Sequence, residues 1–248
     1  MPPPLPSVLS ALPALTGMLR ALLPGACALC GGECGDGLCA GCAAQHFAAR
    51  PRRCRRCALP LPADASAATQ CGECLRRPPA FDAAVAAVDY APPLEQLVLG
   101  LKFGHRLALA PLLARSMAET WRVSMHPPPA LLTAVPLGPS RLAERGFNQA
   151  AEIARPLASL LKLPLDLRLL QRQRDTTPQA LLHPDERRRN MRQAFRVDPM
   201  RLGALAGAHV AIVDDVMTTG ETLNAAAAAL KRRGAARVTA LVFARTVN

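Results

Sequence analysis

Residues 210–223 read VAIVDDVMTTGETL, and they hold the first residues whose chemistry demands an explanation. Val210 to Val213 are the apolar run of a fully buried strand, yet Asp214 and Asp215 follow at once, and carboxylates at such a place are costly unless something meets them. Thr218, Thr219 and Thr222 surround Gly220, and the alanine-rich stretch LNAAAAALKRRG that comes next is a helix on propensity alone. The free N–H groups and positive dipole end of that helix favour an anion. Met217 to Gly220 can turn their amides around a phosphate, Gly220 allows close backbone approach, and the threonines add hydroxyl donors. The aspartates would repel phosphate, so they serve another part of the ligand, and sugar hydroxyls are good donors to carboxylates. A sugar phosphate satisfies both halves of the segment; a helix start with two acids for capping is the bland alternative.

A second constellation lies far upstream. Eight of the nine cysteines form four pairs, Cys27–Cys30, Cys39–Cys42, Cys54–Cys57 and Cys71–Cys74, each with two residues between, and Cys34 is left over. A tetrahedral Zn²⁺ needs four thiolates and each such turn supplies two, so the count predicts two structural zinc sites. The pairs can be wired in sequence, or interleaved as first with third and second with fourth. A disulfide scaffold would need an oxidising compartment, for which the sequence carries no export signal. Each zinc is worth on the order of 10 kcal/mol of folding energy, so this region is expected to unfold without metal. Cys34 is expected to be a spare buried thiol.

These residues need elements to hold them. The first 26 residues are apolar but interrupted by Pro13 and Arg20, and they read as an amphipathic segment with Leu12, Leu15, Leu19, Leu22 and Leu23 on one face. Residues 27–78 hold the cysteine pairs. From 79 to 248 cysteine disappears and strand and helix patterns alternate: strands over 81–90, 131–136, 167–170 and 238–246, and helices over 94–103, 107–121 and 148–161. That alternation predicts an α/β domain with a parallel sheet and helices on both faces, its ligands at the C-terminal ends of the strands. The strand that carries the diacid is expected to end at Val213. Lys102, at the end of one helix, has two readings, a residue that reaches the site and a helix-surface lysine, and the second is favoured.

VAIVDDVMTTGET resembles the thirteen-residue phosphoribosyl-diphosphate (PRPP) signature of type I phosphoribosyltransferases: four apolar residues, two acids and a threonine–glycine loop. LKFG at 101–104, VPLGPSRLAERGFNQAAEIA at 135–154 and TPQALLHPDERRRNMRQAF at 177–195, behind a cysteine-knuckle domain, are similar to the competence protein F (ComF) family, over nearly the whole chain from Leu23 onward. The resemblance implies a double zinc ribbon joined to a type I phosphoribosyltransferase-like domain, in proteins associated with DNA uptake during natural transformation. It assigns PRPP binding to Val216, Met217, Thr218, Thr219, Gly220 and Thr222, and gives Asp214 and Asp215 the ribose and the oxocarbenium-like transition state. Pro136, Leu137, Arg141 and Arg145 take the pyrophosphate loop, and Gln179, Arg187 and Asn190 a hood over the substrate. Mg²⁺ would accompany PRPP, held mainly by diphosphate and ribose oxygens. Asn148 and Gln149 sit at a helix start, where capping and ligand contact are equally open.

The net charge is +12, and only three of the thirty cations are lysine. That charge favours polyanionic partners, and Arg50, Arg52, Arg53, Arg55 and Arg56 crowd seven residues between the cysteine pairs. Such arginines contact nucleic-acid backbone or simply solvate a small domain. With one Trp, one Tyr and six Phe, sequence-specific base stacking is not expected. No apolar stretch is long enough to insert in a membrane, and a cytoplasmic location is expected. Three functions fit: a PRPP-binding protein of DNA uptake that handles single-stranded DNA, a phosphoribosyltransferase acting on a nucleobase or other nitrogen acceptor, and a zinc-ribbon module that docks on other DNA-uptake proteins.

Overall fold

The computed structural model describes residues 25–62, 68–172 and 194–247. The chain divides into two compact units between Ala48 and Ala49. The first holds a short antiparallel ladder, β1 (Gly25–Ala26) and β2 (Glu33–Cys34), and helix α1 (Ala40–Phe47). The cut falls between the second and third cysteine pairs. The third pair is tied to the sheet: the Ala84 amide donates to the Arg55 carbonyl at 3.3 Å, and Arg56 donates to the Pro79 carbonyl at 2.7 Å.

The second unit opens with α2 (Gly72–Arg76) and continues through β3 (Ala83–Asp89), α3 (Glu95–Lys102), α4 (Leu109–Val123), β4 (Leu131–Ala134), α5 (Pro139–Arg145) and α6 (Gln149–Leu161). The hairpin β5 (Leu170–Arg172) and β6 (Phe195–Val197) follows, then α7 (Leu202–Leu205), β7 (His209–Met217), α8 (Glu221–Lys231) and β8 (Arg237–Arg245). β3, β8, β7 and β4 lie side by side in that order, all parallel, as the alternating pattern predicts. Successive strand residues face opposite sides. Ala84 and Ala86, Val210 and Ile212, and Val238, Ala240 and Val242 therefore form one core with Leu223, Ala226, Ala227 and Leu230 of α8 and with Phe195 and Val197 of β6. α4 and α6 pack on each other and on the strands, α4 on β3 and β8 and α6 on β4 and β7. A core of small residues lets helices and sheet approach closely, which explains how so few aromatics suffice.

The registers decide where a ligand can enter. β4 pairs with β7 only as far as Ala134 opposite Val213, with one more hydrogen bond from the Val135 amide to the Val213 carbonyl. β7 does not stop there; it runs on beside β8 to Met217, so Asp214 and Asp215 lie within a strand rather than in the loop after it. Their flank on the β4 side is left without a ladder partner, and this is the step in the sheet edge around which the site forms. Among the described residues no helix is long and apolar enough to cross a membrane.

Candidate sugar-phosphate site and metal centres

Asp214 and Asp215 are both buried, and each carboxylate accepts the amide of the residue that follows it, Asp215 N–H at 2.9 Å and Val216 N–H at 2.7 Å. Lys102, from the C-terminal end of α3, places its Nζ 2.8 Å from Asp215 Oδ2. Of the two sequence readings of Lys102, the structure gives the less favoured one: it is the counter-ion of the diacid. Burial first, and the adjacent Asp215 charge second, push the Asp214 carboxyl well above the ordinary carboxylate range, with Lys102 pulling the other way. A carboxyl poised in this way gains from a ligand that brings donors or a cation to it.

β7 ends at Met217, whose side chain is in the core, and the chain then turns through Thr218 and Thr219, both exposed, to Gly220. Gly220 has φ +81°, a left-handed conformation that calls for glycine, although a Cβ there would make only ordinary contact, 3.5 Å from Met217 Sδ. Thr219 Oγ1 accepts the Glu221 amide at 3.4 Å, and α8 starts directly behind with Thr222 half-buried in its first turn. The turn is braced from beneath by Arg245, the last residue of β8. Its Nη1 donates to the carbonyls of Met217 at 3.1 Å and Thr246 at 2.7 Å and to that of Thr218, while its Nε donates to the Cys57 carbonyl at 3.1 Å. With the carbonyls of Met217 and Thr218 held by Arg245, the loop's hydroxyls remain for an anion. Sequence reasoning missed Arg245, because no local pattern ties it to a loop 27 residues earlier.

On the other side of the step, the loop after β4 carries Pro136 and Leu137, both half-buried. Arg141 is exposed on α5, whereas Arg145 is fixed: it donates to Gln149 Oε1 at 2.5 Å and lies over the Phe103 ring at 5.3 Å. Phe103 follows Lys102, so the end of α3 joins Arg145 to the diacid. Asn148 is a cap. Its Oδ1 accepts the amides of Ala150 and Ala151 and its Nδ2 donates to the Val135 carbonyl at 3.0 Å, which pins the start of α6 to the end of β4. Gln179, Arg187 and Asn190, assigned to the hood, lie outside the described residues, as does the amphipathic segment before residue 25.

The cysteines are wired in sequence: Cys27, Cys30, Cys39 and Cys42 form one cluster and Cys54, Cys57, Cys71 and Cys74 another, their sulfurs all within 4.8 Å of each other. Sulfur separations of 3.7 Å for Cys30–Cys39 and 3.6 Å for Cys57–Cys71 match the ~3.8 Å edge of a tetrahedron with Zn–S bonds of ~2.3 Å. Hydrogen bonding from Cys57 and from backbone amides holds Cys54 down at about 4, while the hydrogen bond to Cys54 and burial push Cys57 upward. Four sulfurs this close settle as thiolates only around a cation. Both sets therefore fit structural Zn²⁺, with every ligand position filled by protein. Cys34 lies in β2, half-buried rather than buried and outside both clusters.

A model of the phosphoribosyl transferase domain matches residues 143–246 and one of the double zinc ribbon domain matches residues 18–75. The chain is 37% identical over 216 residues to the DNA utilization protein YhgH of Salmonella typhi, spanning 85% of this chain and 91% of that protein. It is 32% identical over 203 residues to Competence protein F of Haemophilus influenzae, spanning 80% and 86%. The chain belongs to the competence protein F family. The ComF chain also aligns with a glutamine PRPP amidotransferase structure from B. subtilis, at 19% identity and a TM-score of 0.37 over 54% of this chain and 25% of that one. In this ComF protein the phosphoribosyl transferase match takes in the diacid, the threonine–glycine turn, Arg145 and Arg245, but begins after Lys102 and Arg141. The Lys102–Asp215 ion pair thus joins a residue outside the matched segment to one inside it.

Proposed function

We propose that this ComF-family protein binds PRPP at the end of β7 and does so in the service of DNA uptake, in a chain that also handles single-stranded DNA. One observation carries the PRPP reading: a buried diacid, paired with Lys102, beside an exposed threonine–glycine turn at the start of α8. The 5′-phosphate would take the amides and hydroxyls of Thr218 to Thr222, and the ribose hydroxyls would donate to Asp214 and Asp215. Arg145, preset by Phe103 and Gln149, would face the diphosphate with Pro136, Leu137 and Arg141. Mg²⁺ would supply charge neutralisation for the diphosphate, bound mostly by ligand oxygens. The names of the relatives, DNA utilization protein and Competence protein F, support the physiological half of the reading.

Calorimetric titration of the zinc-loaded protein with PRPP and Mg²⁺ tests it. Asp214→Ala combined with Asp215→Ala should abolish binding, and unchanged affinity would make the turn a purely structural helix start. The same diacid favours a second reading, transfer of phosphoribose to a nitrogen acceptor, because carboxylates at the ribose also stabilise an oxocarbenium-like transition state. Pyrophosphate release in a screen of nucleobases would establish that activity.

A further inference from the structure

The arginine run between the cysteine pairs has no part in the PRPP site, yet it is not scattered over the surface. Arg50, Arg52, Arg53 and Arg55 line one groove of about 430 Å³ along the outer edge of β3, with His126 among its lining residues. Its lining includes Ala84 to Ala87 and the hydroxyl residues Thr120 and Ser124 near the end of α4. No carboxylate lines it among the described residues, and it shares no lining residue with the 290 Å³ cavity beside the phosphate turn.

The four arginines are not equivalent. Arg53 is half-buried and engaged, with Asp89 at 2.7 Å and the Ala58 carbonyl at 3.1 Å, and it anchors the run to β3. Arg52 donates to the Ala68 carbonyl at 3.1 Å. Arg50 and Arg55 are exposed on the same groove. Burial first, then the charges of Arg237 and Arg55, hold His126 below its ordinary value, so the positive field extends to this histidine. A cleft lined by one sign of charge concentrates counter-ions of the other sign. Here the cations are strung along an irregular segment instead of converging on a point, which suits a linear polyanion better than a single phosphate. The small-residue wall and the hydroxyls suit a sugar–phosphate chain. For bases there is little to read: Trp121 is buried, and the lining histidine is already stacked on it with centroids 6.0 Å apart.

We propose that this groove is the track for the phosphodiester backbone of a single nucleic-acid strand, contacted by Arg50 and Arg55 without regard to base sequence. The proposal rests on the DNA-handling half of the proposed function and locates it on the β3 edge, apart from the PRPP site. The test is fluorescence anisotropy of a labelled oligo-thymidylate strand with the zinc-loaded full chain over a salt series, comparing wild type with Arg50→Glu/Arg55→Glu. Wild-type affinity should fall with salt, and the double variant should bind at least about tenfold more weakly, with its log–log salt slope shallower by about 1.4 for two lost phosphate contacts. Zinc content and the thermal midpoint of the variant report its fold. If the reversal disturbs either, Arg50→Ala/Arg55→Ala should still show the shallower slope. Unchanged binding by a folded variant overturns the groove and leaves DNA handling standing, whereas no binding by wild type overturns both. Poly-glutamate that binds as tightly as the oligonucleotide and is lost in the same variant would also overturn the assignment, making the groove a site for acidic polypeptides.

Discussion

The two cysteine clusters have the same ligands and the same spacing within each pair, but they stand in different company. The first closes a unit made of β1, β2 and α1, and Cys30 is exposed. The second is embedded in the sheet-bearing unit, with Cys54 fully buried and the Cys57 carbonyl held by Arg245. Through that one guanidinium the second cluster and the threonine–glycine turn rest on a common support. Cys57, Cys71, Phe81, Thr218 and Gly220 even line the same 290 Å³ cavity. Identical metal chemistry can thus close a small compact unit in one place and brace the turn beside a buried diacid in another. What differs is which backbone groups the knuckle offers its neighbours.

The harshest way to break this comparison is to remove each metal separately. Cys54→Ser/Cys57→Ser should cost one zinc and destabilise the sheet-bearing unit on the scale of its metal, on the order of 10 kcal/mol, with PRPP binding lost. Cys27→Ser/Cys30→Ser should also cost one zinc yet leave PRPP affinity within about twofold, a margin of ~0.4 kcal/mol. Zinc stoichiometry, thermal unfolding and titration report all three quantities. Equal loss of PRPP binding in the two variants would mean that the clusters are not distinct in role.

Next in size is the diacid, which has an anchor of its own. Lys102→Met strands the buried Asp215 carboxylate and should destabilise by about 3–5 kcal/mol in urea unfolding without changing zinc content. Asp214 supplies the pH dependence. Its raised value means that the folded protein keeps a proton that the unfolded chain releases above the ordinary 3.8. The contribution to stability is therefore full below that pH and is lost as pH rises through the folded value. Asp214→Asn, which carries no such titration, should match wild type near pH 4 and exceed it in stability increasingly toward neutral pH, while binding PRPP poorly. A constant gap across that range would show that burial of the carboxyl, and not its ionisation, sets the difference.

Much of this was legible in the sequence, and the remainder has a physical reason. The apolar run before Asp214, the turn residues after it and the alanine helix are local signals, and each folds as its pattern requires. The cysteine spacing likewise announces two tetrathiolate sites, though only the fold chooses sequential over interleaved wiring. The strand's continuation to Met217 was hidden because it depends on β8 reaching Arg245 while β4 stops at Ala134. The sequence leaves Lys102 between site and surface, with the surface favoured, because its helix looks amphipathic whichever way its end points. Arg245 reads as the polar end of an ordinary strand, and its four carbonyl partners are supplied by segments from Cys57 to Thr246.

Arg245 is also the residue on which the comparison turns. Arg245→Ala leaves the carbonyls of Met217, Thr218 and Cys57 short of a charged donor, and hydrogen bonds of that kind are worth about 1.5–3 kcal/mol each. Inorganic phosphate and PRPP should bind at least about tenfold more weakly, and the second zinc should be stripped faster by a chelator while the first is stripped at the wild-type rate. Arg245→Lys, with one donor group in place of a fork, should recover only part of the loss. Unchanged chelation of the second zinc would separate the cluster from the turn.

The smallest effect is expected at Cys34, and it sharpens the comparison from the side of the first cluster. The residue lies on β2 opposite Gly25, half-buried, and its sulfur is outside the tetrad formed by Cys27, Cys30, Cys39 and Cys42. Serine nearly matches cysteine in size, so Cys34→Ser should keep two zincs per chain and shift stability by no more than about 0.5 kcal/mol. A ninth thiol that exchanged with the tetrad would betray itself as a lower zinc count or faster metal loss confined to the first cluster. That outcome would make the first site adaptable, its metal held by a choice among five sulfurs, and would leave the second, with four cysteines and a buttressed carbonyl, as the only site of fixed geometry.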